Sequence, residues 1–420
     1  MATSYEAEVY DLMQYFHRAV FEPSLRSVIR LEGHIDENIL KKAVTLSTDT
    51  IPMIRCCFVE DQGGLYWLDK GFTGEDMVYV VEAGCDYNEQ KTKLLATSID
   101  IYREPQLKIF ILREKQADTL LFILNHMVSD GAGLKEYLYL LSDIYTKCKN
   151  GENIPKPPFV SRSVKPLFST FGPLAKIRIL LAKYDFNKHI KPLDLGLEGE
   201  KTSPILTSLQ IPPQEFALLK AWSKKNGFSL NDVIFTAFVR VLSKETGQTR
   251  VVVPCPVDLR KYLAADQRKS ITNLTSQFIC DIPVKEADSF ITTVSELSRQ
   301  MKLQKNSTAC LKPVLQFSLL SGLLPLSALP KVFNSLFTIP FVSFSNLGLV
   351  DSNRLRFADL NIGEMYIGGA VRYAPYFQVT ATSYQGACTL ACNFYGTSAD
   401  KIKIDRFLNG LKEELKLALT

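Results

Sequence analysis

Apolar and polar positions along the chain alternate in a way that predicts short strands interleaved with amphipathic helices. Ser27 to Leu31 reads as a strand. Ile35 to Ser47 reads as a helix, with Ile39, Leu40, Ala43 and Val44 recurring on one face. Asp36 and Glu37 fall in its first turn, where the helix dipole favours acids. Met53 to Val59 and Gly64 to Leu68 suggest a hairpin turning at Asp61-Gln62-Gly63. Leu107 to Leu112 and Thr119 to Asn125 are two more strands. Leu134 to Cys148 is a helix, with leucines and tyrosines at near-helical spacing. Further on, Pro213 to Asn226 and Leu230 to Thr246 read as helices, the second capped by Ser229 with Asp232 in its first turn. Val251 to Val257 is a strand rich in β-branched residues, and Ala287 to Lys302 is a helix. Four strand candidates follow at Ile339 to Phe344, Met365 to Ala370, Tyr376 to Tyr384 and Cys388 to Tyr395, before a last helix from Lys403 to Ala418. No repeat is visible. The pattern predicts an α/β chain (mixed α+β) in two halves.

The halves are joined by a region of different character, from Pro155 to Lys191. It opens PKPPFVSRS, which favours extended structure, and carries Lys156, Arg162, Lys165, Lys176, Arg178, Lys183, Lys188 and Lys191 against Asp185 alone. Two readings stand: a solvated linker with an apolar underside, or a surface that docks phosphates, a carrier protein or lipid headgroups. The expected organisation is an N-terminal subdomain (1–154), a basic crossover linker (155–200) and a C-terminal subdomain (201–420).

At 420 residues the chain is long for one core, which also favours two domains. A hydrophobic share of 46% with 22% charged residues excludes disorder, and a net charge of +5 does not by itself imply nucleic acid. The nine cysteines show no C-x-x-C pair and no finger spacing. The first residues, MATSYEAEVYDLMQYF, lack a signal pattern, so a reducing cytoplasm is expected. The sequons at Asn273 and Asn306 carry no weight in that setting. One stretch, PVLQFSLLSGLLPLSALP between Lys312 and Lys331, is uncharged and approaches the length of a membrane span. Its prolines, serines and glycine favour a buried helix–turn–helix or the wall of an apolar tunnel, so no transmembrane segment is expected.

The candidate chemistry concentrates in LFILNHMVSDGAG, Leu121 to Gly133. An apolar strand stops at Asn125, and His126, three spacers, Asp130 and Gly131 follow. This puts an imidazole on a held loop beside a rigid sheet, and His126 is one of four histidines, with His17, His34 and His189. From the residues alone four readings stay open. They are a structural histidine, a metal ligand, a hydrolase triad, and a general base for an acceptor supplied by the substrate. Metal binding lacks a third ligand in any recognisable spacing, and no G-x-S-x-G marks a nucleophile. An imidazole titrating near neutrality can take a proton and return it.

H-x-x-x-D-G after a strand resembles the chloramphenicol-acetyltransferase-like superfamily, which includes peptide-synthetase condensation domains and plant BAHD, polyketide-associated and alcohol acyltransferases. Companion segments occur in the expected order: LEGHIDENILKKAVTLSTDTIPMIRCCF, VVVPCPVDLRKYL, TNLTSQF and FVSFSNLG. The similarity covers most of the chain, nearest to stand-alone alcohol-acetyltransferase-like proteins. It implies two chloramphenicol-acetyltransferase-like subdomains forming a V-shaped pseudo-dimer around a central tunnel. His126 would be the general base. Asp130, with Gly131, would structure the loop by pairing with Arg260 in PVDLR. Asn125, Ser345, Asn346 and the N–H near Gly131 would be oxyanion or substrate contacts. Asn125 stands where many condensation domains have a second histidine, which weakens a peptide-condensation reading, and the missing D-F-G-W-G excludes the plant branch.

The resemblance implies an acyltransferase with no bound cofactor, taking acyl-CoA as donor and a hydroxyl or amine as acceptor. Transfer from an acyl or peptidyl carrier protein is the alternative, and a non-catalytic binding module of the same fold is a third. A monomer without nucleic-acid partners is expected, and peripheral membrane contact stays open.

Overall fold

The computed structural model describes residues 3–61, 64–154, 161–184, 193–200, 202–337 and 340–419. The chain forms two compact units, and neither is one continuous stretch. The first comprises Met1–Val164, Arg260–Leu274 and Leu349–Ala370, and the second Lys165–Leu259, Thr275–Gly348 and Val371–Thr420. This differs from the contiguous division expected from the sequence. Long-range pairing is the reason: the strand Asn361–Gly368 hydrogen-bonds to Ser24–Glu32, and Arg260 is tied to Asp130.

The first unit is built on a five-stranded sheet, in the order Asn361–Gly368, Ser24–Glu32, Ala117–Asn125, Leu107–Arg113 and Val78–Glu82. Neighbours are antiparallel except the last pair, which is parallel. The two central strands are buried along most of their length, and Leu120 to Leu124 is a continuous apolar run because both faces of that strand are covered. The helix read over Ile35 to Ser47 begins at Glu37, because Asp36 is its N-cap and accepts from the N–H groups of Asn38 and Ile39. It packs on the helix Gly131–Lys149, with Ser47 Oγ 3.2 Å from Tyr137 Oη. The hairpin is formed by Cys56–Asp61 and Gly64–Asp69, while Gln62 and Gly63 lie outside the described residues.

In the second unit, Ala387–Tyr395 pairs antiparallel with Phe377–Tyr384 on one side and Pro204–Ile211 on the other. Arg250–Asp258 pairs with Thr275–Pro283 in a separate antiparallel ribbon. The helix Leu230–Thr246 carries the Ser229 cap as expected, with Ser229 Oγ accepting from Asp232 N–H at 3.1 Å. Phe235, Phe238, Phe344 and Phe407 form a buried aromatic cluster around it.

The uncharged stretch after Lys312 is a helix–turn–helix: Lys312–Ser321, then Leu329–Leu336, closed by contacts among Phe317, Phe333 and Phe337. No described helix is long and apolar enough to cross a membrane. The region expected to be a linker contains two short helices, Lys165–Ser169 and Pro173–Leu181. Its opening, with Lys156, and the segment with Asp185, Lys188, His189 and Lys191 lie outside the described residues.

Candidate active site

The strand Ala117–Asn125 ends where its register with Ser24–Glu32 ends, at the pair Ser24 and Asn125. The chain then turns. His126 N–H donates to Pro23 O at 2.7 Å, and Val128 N–H to Asn125 O at 2.9 Å. Met127 and Val128 are fully buried and anchor the turn, leaving His126 half-buried. Asn125 is fully buried as well. Its Nδ2 donates to Gln106 Oε1 at 2.6 Å, and its Oδ1 accepts from Met127 N–H at 2.9 Å. Both ends of the Asn125 amide thus help to hold the turn.

Asn273, which no local pattern in the sequence marks, is a side-chain partner of the imidazole. His126 Nδ1 lies 3.1 Å from Asn273 Oδ1. The Asn273 Nδ2 donates to the carbonyls of His126, at 2.6 Å, and Met127, at 3.1 Å. Two carbonyls facing Nδ2 fix which way the amide points, so the atom facing the imidazole is the carbonyl oxygen. An oxygen cannot donate, so His126 Nδ1 carries the proton in the neutral ring. The lone pair is then on Nε2. Asn273 belongs to the TNLTSQF segment, where it is the sequon asparagine given no weight above.

Asp130 does not face the imidazole chemistry. It is the N-cap of the helix Gly131–Lys149, accepting from Gly133 N–H at 2.8 Å. Arg260 grips it with two parallel bonds, Nη1 to Oδ2 and Nη2 to Oδ1, each 3.0 Å. Leu274 N–H also donates to Asp130 Oδ2, at 2.7 Å. Arg260 in turn donates to Ser270 O at 3.1 Å and to Thr272 O at 2.6 Å. Both members are buried. Burial opposes the carboxylate charge, but the Arg260 guanidinium and the N–H groups of Leu274 and Gly133 outweigh it, holding the Asp130 carboxyl below its ordinary value. The pair therefore fixes Thr272 and Leu274, the two neighbours of Asn273.

Gly131 and Gly133 both lie within the helix that starts at Gly131. Gly133 answers a need for space: a Cβ there would fall 2.1 Å from Ser129 Oγ and 3.0 Å from Thr272 O.

Arg162 holds the loop from another side. Expected as one cation of an exposed basic region, whether linker or docking surface, it is buried. It pairs with both carboxylate oxygens of the buried Asp11, and its Nη2 donates to Met127 O at 2.6 Å. Asp11 also accepts from Trp67 Nε1 at 2.9 Å. No periodicity in the sequence signals this link, which joins residues far apart in the chain.

Ser345 and Asn346 lie in the strand Val342–Leu349 of the second unit. Asn346 donates to Asn231 Oδ1 at 3.1 Å and accepts from Gly348 N–H at 2.8 Å. Among the described residues, no group of three or more His, Cys, Asp or Glu converges as a metal site would require.

Residues 14–165, which include the whole of this loop, match the condensation-domain family. The first condensation domain of the calcium-dependent antibiotic synthetase superimposes with a TM-score of 0.73 at 14% identity, over 99% of this chain and 97% of that one. The chain has the condensation-domain fold. The same fold is shared with TRI3 trichothecene 15-O-acetyltransferase from Fusarium sporotrichioides, at TM-score 0.73 and 13% identity over 100% and 95% of the two chains. Bacitracin synthase 3 of Bacillus licheniformis is 22% identical over 411 residues, which is 93% of this chain but only 6% of that synthase.

Proposed function

We propose that the chain is an acyltransferase in which His126 is the general base. The observation that carries this reading is the asparagine clamp: Asn273 holds Nδ1 protonated, so Nε2 is the nitrogen able to accept a proton. The condensation-domain fold and its likeness to an acetyltransferase support acyl transfer over the other readings of a lone histidine. In the proposed reaction Nε2 takes the proton of an acceptor hydroxyl or amine. The freed lone pair attacks a thioester carbonyl, the C–S bond breaks, and the imidazolium returns its proton to the leaving thiolate. The developing oxyanion needs a donor, for which the N–H at Gly131 is proposed. No bound cofactor is required, and acyl-CoA is the proposed donor.

The test is thiol release from acetyl-CoA in the presence of a panel of alcohols and amines. Wild type should release CoA with a competent acceptor and His126→Ala should not. Equal rates for the two would remove His126 as the base.

The second reading is a carrier-bound donor, favoured by the match over most of the chain to a region of Bacitracin synthase 3. It predicts capture of an acylated carrier protein, weakened by salt, without turnover of free acyl-CoA.

A further inference from the structure

The helix Pro173–Leu181 has its apolar residues on the wrong side for a helix that only covers a core. Ile179 is buried, but Leu174, Ile177 and Leu181 are 74%, 51% and 77% exposed. These positions are spaced i, i+3 and i+7, so they form one stripe along the outer side. The helix packs on Lys312–Ser321, and Lys312 Nζ donates to Ala182 O at 2.7 Å. At the far end of that second helix Leu319, Leu323 and Leu324 are also exposed, Leu323 by 79%. Single exposed leucines are ordinary, but two neighbouring helices that both turn leucines outward are not.

Along the stretches of sequence that form these helices the charges are all of one sign. From Asn153 to Tyr184, and again from Leu297 to Val350, the chain contains neither Asp nor Glu. Arg178 and Lys183 are exposed, Lys176 is partly so, and among the described residues none of the three has a carboxylate partner. Arg178, four residues after Leu174 and three before Leu181, lies on the same side of the helix. A protein-binding patch would be expected to present Trp or Tyr anchors, yet the exposed large residues here are all aliphatic. Aliphatic side chains flanked by cations fit a bilayer boundary, where leucines enter the acyl region and guanidinium and ammonium groups meet headgroup phosphates.

We propose that this face of the second unit docks peripherally on an anionic phospholipid surface. The inference stands apart from the acyl-transfer reading and can fail or hold independently of it. It is tested by co-sedimentation of the whole chain with two vesicle types. One is phosphatidylcholine alone, and the other has about a third of the lipid replaced by phosphatidylserine. The expected result is binding to the anionic vesicles, reduced by salt, with little binding to the neutral ones. Combined Leu174→Ser, Ile177→Ser and Leu181→Ser should weaken partitioning at least about tenfold while leaving the thermal melt unchanged, since these side chains are exposed. Arg178→Glu should weaken binding to the anionic vesicles most strongly at low salt. Absence of co-sedimentation, equal binding to neutral vesicles, or undiminished binding by the serine variant would each overturn the proposal. So would a dimer of the wild type that the serine variant dissolves, because the occupant would then be a second copy of the chain.

Discussion

Asn273 and His126 are bound to each other twice over: the asparagine amide donates to the histidine's own backbone carbonyl while its oxygen faces the ring's Nδ1. One side chain thus fixes the position of the loop and the tautomer of the base. Asn273→Ala should lower kcat by about 10-fold to 100-fold with little change in KM for the donor. Asn273→Asp separates positioning from bulk. A carboxylate beside the ring favours the imidazolium, so the histidine would become basic only at higher pH, and the acid limb of the rate profile should move upward. An Asn273→Asp profile superimposable on wild type, apart from its height, would show that the asparagine does not govern the ring's protonation.

The Asp130–Arg260 pair should be costly to break from either side. Asp130→Ala leaves a buried guanidinium, and Arg260→Ala a buried carboxylate. Each is expected to lose about 3–5 kcal/mol in urea unfolding. Because Arg260 binds through two parallel bonds and two backbone carbonyls, Arg260→Lys should recover little of that loss. Destabilisation below about 1 kcal/mol for both alanine variants, the range of exposed pairs, would rule out the bracing role.

The same pair makes a prediction in pH. The Asp130 carboxyl is held below its ordinary value in the folded chain, so as pH falls the unfolded chain binds the proton first. Its contribution is complete at neutral pH and is lost as the pH drops through the folded value. Wild-type stability should therefore decline on acidification more steeply than that of Asp130→Asn, which has no proton to gain. Parallel curves would mean that other carboxylates carry the acid sensitivity.

What could be read in advance follows from how each feature is encoded. The strand into Asn125 and the helix after it were readable because an apolar run and a helical repeat are local signals, and the helix cap at Ser229 was local too. Asn273 and Arg162 were not. Each acts through a partner distant in sequence, and neither residue type stands out in its own neighbourhood: one looked like a sequon, the other like one cation among many. The strand Thr275–Pro283 was hidden for a related reason, since Thr275, Gln277 and Asp281 alternate with its buried positions and cut the apolar run to Phe278-Ile279-Cys280. Resemblance supplied the Asp130–Arg260 pairing, which spacing alone could not. The discontinuous units were equally hidden, because strand pairing between Asn361–Gly368 and Ser24–Glu32 leaves no trace in the order of elements.

Gly133 offers a test of packing against helix propensity. In an open helical position, replacing glycine with alanine stabilises by up to about 1 kcal/mol. Here the added methyl would meet Ser129 Oγ at 2.1 Å, so Gly133→Ala should destabilise instead, by about 1–3 kcal/mol. Ser129→Ala removes the atom it strikes. The double variant should therefore be more stable than Gly133→Ala alone, although Thr272 O and Arg260 Nη2 remain close. If the double variant is the less stable of the two, the clash is not the reason for glycine.

Arg162 provides the last case, because its placement contradicts the look of its neighbourhood. A cation on a solvated linker would be replaceable at a cost within about 0.5 kcal/mol. A buried guanidinium paired with Asp11 and donating to Met127 O holds the loop one residue beyond His126, so Arg162→Ala should cost about 3–5 kcal/mol and lower kcat as well. Arg162→Met combined with Asp11→Asn removes both charges while keeping volume. It should restore much of the stability without restoring activity, because the Met127 carbonyl still lacks its Arg162 donor. Full recovery of turnover in that double variant would show that the contact with the loop is incidental, whereas recovery of stability alone would separate the fold's need for the pair from the base's need for the loop.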